Sequence, residues 1–143
     1  MTSLNDDKVC PQCGAIGCKE KYEAMLALEY EQPEVFGAVH HTTVICYNLQ
    51  HPDTFTDGAL MWMRSSLRAI VEDGLSGPEL LKRARRTFSG NARVTAAKAA
   101  PAEGQALAKW SKTTTDIHTD NPDVYVNDVK AWAASILKDF DAK

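Results

Sequence analysis

CPQCGAIGCKEKYEAMLALEYEQPEVFGAVHHTTVICYNLQHP, residues 10–52, carries all four cysteines and three of the four histidines of a 143-residue chain. Cys10-Pro11-Gln12-Cys13 is a tight knuckle, and Gly14 supplies the positive φ that such turns often need. From Cys18 to Glu31 the residues are helix-forming. Tyr22, Met25 and Leu26 are partly three-to-four spaced, which predicts a first helix ended by Pro33. The second run, Ala38 to Gln50, is rich in β-branched residues (Val39, Thr42, Thr43, Val44, Ile45), as a buried strand would be. Its length of about 13 residues favours a helix. His40, Val44, Tyr47 and His51 then share one helical face, and Pro52 closes the run.

Two helices of that length, each roughly 20 Å long, joined by a short turn form an antiparallel hairpin. The start of the first, Cys18, then lies beside the end of the second, His51, with the knuckle a few residues away. Structural zinc takes four nitrogen or sulfur ligands in a tetrahedron, and CxxC offers two from one turn. The predicted ligand set is therefore Cys10, Cys13, Cys18 and His51, with zinc as the ion. His40 and His41 fall at the far end of the hairpin, roughly 15 Å away or more. If residues 38–51 were not helical, His40 or His41 would replace Cys18, and that alternative stays open. Cys46 points elsewhere, as a small buried hydrophobe does, and His118 is distant in the chain. A redox dithiol would follow a strand in a βαβ pattern, and no such pattern appears. Three thiolates and an imidazole close the coordination sphere, which makes the expected site structural. A catalytic site keeps an open position, and only then would Glu20 or Glu23, one turn from Cys18, serve as a base. For His40 the expectation is a hydrogen-bonded core histidine, with no carboxylate partner placed by the sequence.

Outward from this stretch the chain reads as helical scaffold. Thr56 or Asp57 caps a third helix through Glu72, ended by Gly74. Ser76-Gly77-Pro78-Glu79 is a capping box opening a fourth, Pro78 to Phe88. Asn121-Pro122 starts a last helix to Phe140, its apolar face including Val129, Trp132 and Ile136. Residues 89–112 form a long loop without clear period, with Trp110 pinning its far end, and residues 1–9 read as a flexible arm. The expected fold class is all-α: a small bundle of about five helices with an N-terminal zinc knuckle. Residues 10–143 make a single domain whose metal-binding half is 10–52. No basic leader or membrane-length apolar run is present, so the expected location is the cytoplasm, where thiols stay reduced. The net charge is −3, yet eight basic residues and one acid, Glu103, lie between Lys82 and Lys112. A basic segment can attract nucleic acid, although a solvated helix face and loop explain it more simply.

The combination C-P-x-C-G-A, a cysteine opening a helix, and A-V-H-H-x-T-V-x-C-Y-x-L-Q-H-P resembles a bacterial family of small proteins catalogued only as a domain of unknown function. The similarity runs on through Trp110-Ser111-Lys112-Thr113-Thr114 and V-x-A-W-A-x-S-I-L, covering Cys10 to Phe140. It maps the family's recurring positions onto Cys10, Cys13, Gly14, Cys18, His40, Tyr47, Gln50, His51 and Pro52, with Trp110 and Trp132. The resemblance implies a shared cysteine and histidine site and assigns no activity; residues 89–109 depart from its pattern. Three functions compete: a zinc-stabilised module binding a small molecule or partner protein, a metal-dependent hydrolase or transferase with an open site, and a nucleic-acid-binding protein using residues 82–112. They are preferred in that order.

Overall fold

Helix boundaries in the computed structural model, which describes residues 9–87 and 110–142, fall at the capping residues. Helix α1 spans Cys18–Glu31, α2 His40–Gln50, α3 Asp57–Asp73, α4 Gly77–Thr87 and α5 Pro122–Asp141. Thr56 stays extended and its Oγ1 accepts the Ala59 N–H at 3.1 Å, satisfying a donor of the first turn of α3. Gly74 ends that helix at φ 68°, a left-handed conformation that costs a residue without Cβ least. Asn121 accepts from the Asp123 and Val124 N–H groups at the head of α5. At α4 the expected capping box is altered. Ser76 Oγ accepts the Glu79 N–H, but Glu79 Oε1 takes the Ser76 hydroxyl at 2.9 Å rather than its backbone N–H.

The β-branched second run is helical, as its length predicts, but it divides. Gly37–Val39 makes a turn of 3₁₀ helix and the α-helix starts at His40. Its buried residues, Thr42, Thr43, Ile45, Cys46, Leu49 and Gln50, recur with helical spacing, so packing decides against a strand. Among the described residues no strand forms, only an isolated bridge between Val9 and Ile16. No described helix is long and apolar enough to cross a membrane. The expected arm lies outside the described residues except for Val9, and so does the expected loop before Trp110.

Helices α1 and α2 run antiparallel. Cys18 meets His51, the Tyr22 ring stacks on Tyr47 at 3.7 Å, and Glu29 meets His40. Helix α5 closes the bundle with Tyr125, Val129, Trp132 and Ile136 fully buried, alongside Met25 of α1 and Leu67 of α3. Trp132 also carries a polar link: its Nε1–H donates to Gln50 Oε1 at 3.3 Å, and Gln50 Nε2 donates to the Lys112 carbonyl at 2.8 Å. The segment after residue 109 is thereby held against the hairpin. Trp110 packs edge-on against Phe140, Ser111 donates twice to Asp139, and Thr114 Oγ1 donates to the Cys18 carbonyl.

Candidate metal centre

The knuckle is built by the backbone. Gly14 N–H donates to the Cys10 carbonyl at 2.9 Å, and Cys10 N–H returns to the Ala15 carbonyl at 2.8 Å. Gly17, at φ 74°, turns the chain straight into α1, so that Cys18 is its first residue. From the other side, Gln12 accepts the Asp53 N–H and ties the knuckle to the turn after His51. One ligand atom from each of Cys10, Cys13, Cys18 and His51 then lies within 4.8 Å of all the others. Cys18 Sγ stands 3.5 Å from His51 Nε2. Bond lengths of Zn–S and Zn–N in a tetrahedron put that edge at about 3.5–3.6 Å.

The histidine is oriented for the purpose. His51 Nδ1–H donates to the Tyr47 carbonyl at 2.7 Å, which leaves the Nε2 lone pair facing the sulfurs. Tyr47 stacks on the His51 ring at 3.9 Å and shields one side of the cluster. Burial lowers the His51 pKa, despite the Tyr47 carbonyl acting the other way, so the ring is neutral at pH 7. The thiols are unequal. At Cys10 burial opposes the thiolate, but N–H groups of Cys13 and Gln12 outweigh it and the pKa falls. Burial, with the neighbouring sulfurs, raises Cys13 and raises Cys18 further. Three thiols this close repel one another as thiolates, and a divalent cation is the charge that would let all three ionise.

A family profile matches residues 8–141. The chain belongs to DUF5946, a family of unknown function. No curated protein and no solved structure matches it. In this DUF5946 chain the predicted ligand set is thus a spatial cluster, and the alternative with His40 or His41 in place of Cys18 is not the arrangement found. Cys46 is fully buried in the core, and His118 pairs with Asp128 at 2.8 Å on the surface.

The far end of the hairpin holds what sequence reasoning missed. Glu29 is buried, and its carboxylate accepts from His40 Nδ1 at 2.7 Å, Thr43 Oγ1 at 2.7 Å and Tyr125 Oη at 2.5 Å. His40 does have a carboxylate partner. The signal was available in part: Cys18, Tyr22, Met25 and Glu29 fall at four-three-four spacing, so Glu29 continues the inward stripe of α1.

Proposed function

We propose that Cys10, Cys13, Cys18 and His51 hold one zinc ion as a closed structural centre. The protein around it is a zinc-stabilised helical module that binds a small molecule or a partner protein in the cytoplasm. The observation that carries this reading is the convergence of four ligand atoms within 4.8 Å, with His51 already presenting Nε2. Three sulfurs and one nitrogen fill a tetrahedron and leave no position for a reacting water. A reducing compartment suits this set, since free thiols rather than disulfides are what it requires. The hydrolase reading needs His40, His41 and His51 on one ion, and the Glu29–His40 pairing favours the structural reading over it. Exposed Lys82, Arg85 and Arg86 on α4 keep a nucleic-acid surface as the least favoured reading.

Elemental analysis of the purified chain, beside Cys18→Ala and His40→Ala, tests the centre. One zinc per chain, lost with Cys18→Ala and kept with His40→Ala, is the expected result. Metal lost with His40→Ala and kept without Cys18 would overturn it. Iron in place of zinc would show as thiolate-to-iron absorption, to which zinc is silent.

A further inference from the structure

Val39, Ile70, Leu75, Leu80 and Ala133 form the apolar walls of a cavity of about 570 Å³ where α2, α3, α4 and α5 meet. That volume is in the range of small-molecule sites. Its polar lining comes from separate elements: His41 and Thr42 of α2, Ser76 ahead of α4 and Lys130 of α5. Among the described residues no carboxylate lines it, in a chain with 19 acids against 16 lysines and arginines. Thr42 is only 7% exposed and lines the cavity one residue along from His41.

His41 is set at the same place from two sides. A Cβ on Gly77 would stand 3.0 Å from its Cδ2 and 3.3 Å from its Nε2, so the ring lies close against the first turn of α4 and a side chain there would press it aside by a few tenths of an ångström. That turn is capped from within, the Glu79 N–H donating to Ser76 Oγ and the Leu80 N–H to the Ser76 carbonyl. On its other side the ring meets His40 edge-on at 5.6 Å, and His40 is itself anchored by Glu29. Burial, and then His40, lower the His41 pKa, which keeps the ring neutral at pH 7 with one donor and one acceptor.

We propose that this cavity binds a small organic carboxylate with a compact apolar body. Lys130, with His41 and Thr42 of α2, draws the carboxylate; the apolar walls take the body. This deepens the ligand-binding half of the function proposed above and rests on it. A helical peptide, some 10–12 Å across with its side chains, fits a partly open cavity of this size less well.

The test is calorimetric titration of the zinc-loaded full chain with octanoate, 3-phenylpropionate and 2-naphthoate, each beside its primary amide. At least one acid should bind once per chain, with its amide roughly tenfold weaker, as loss of a charged hydrogen bond implies. Lys130→Gln should weaken the acid by a similar factor and leave the amide unchanged. Thr42→Val should weaken the acid, and Ala38→Trp, at an exposed residue of the lining, should block acid and amide alike. No acid bound at millimolar concentration overturns the proposal, as does binding indifferent to both Lys130→Gln and Ala38→Trp. Equal affinity for acid and amide overturns the assignment of a carboxylate, and binding of a helical peptide but of no acid overturns the ligand class. Zinc content is read on every sample. A zinc-free wild type that binds the acid sinks the zinc centre alone; a zinc-loaded one that binds none sinks the cavity site alone.

Discussion

Glu29 shows how a single side chain can be both costly to bury and hard to remove. A carboxylate with no solvent contact is tolerable only when its oxygens are filled, and here three donors fill them. Glu29→Ala strands the Tyr125 hydroxyl, at about 1–3 kcal/mol for a buried orphan donor, while Thr43 keeps the Val39 carbonyl at 3.2 Å. The variant should be about 1–3 kcal/mol less stable in urea while keeping its metal content; an unchanged midpoint would mean the cage contributes nothing. His41 makes a prediction in pH. Its pKa is lowered in the fold, by burial first and then by His40, from the 6.5 of the unfolded chain. Between the two values the unfolded chain binds more protons, so the stability present above about pH 6.5 is lost as pH falls through the folded value. His41→Gln should therefore melt with a shallower fall than wild type below about pH 6.5 and a parallel curve above it. Melting curves that stay parallel at acid pH would assign the slope to other groups.

At the scale of elements, starts and stops were the most legible part of the sequence. Thr56, Ser76, Asn121 with Pro122, and Gly74 all do locally what their chemistry suggests, because a cap needs only its neighbours. Asn121→Ala should cost about 1 kcal/mol in chemical denaturation, since it removes the acceptor of two N–H groups at the head of α5. No loss would mean that water caps the helix equally well. The hairpin was legible too, and with it the meeting of Cys10, Cys13, Cys18 and His51, because antiparallel helices of similar length bring Cys18 and His51 together whatever else they touch. Glu29 was not legible as a partner. Its place on the inward stripe is local, but one of its donors, Tyr125, lies 96 residues away. The cavity was hidden for the same reason, since its lining comes from four helices and becomes a volume only when they pack. The 3₁₀ turn that delays α2 until His40 left no mark in the periodicity.

For the molecule as a whole, the Cys10, Cys13, Cys18 and His51 cluster stands at one end of the bundle, where separate elements meet. The knuckle, the start of α1 and the end of α2 meet at the ligand atoms, and the Thr114–Cys18 contact adds the later segment. If the proposed centre holds its ion, removing it should loosen all of them together, since ligand geometry and folding are linked. A strong chelator should lower the melting temperature of the wild type by several degrees, about 2–4 °C for each kcal/mol in a domain near this size. It should leave that of Cys13→Ser unmoved. An equal shift in both would place the chelator's effect elsewhere.

The bonds from Thr114 to Cys18 and from Tyr125 to Glu29 each span 96 residues. A ribosome making this chain releases the hairpin long before it releases either partner. Until α5 emerges, Glu29 lacks its tyrosine and the carbonyl of Cys18 lacks its threonine. The N-terminal half must wait, half assembled, for the end of its own synthesis, and a message cut short ahead of Thr114 yields a hairpin that cannot close over its buried charge.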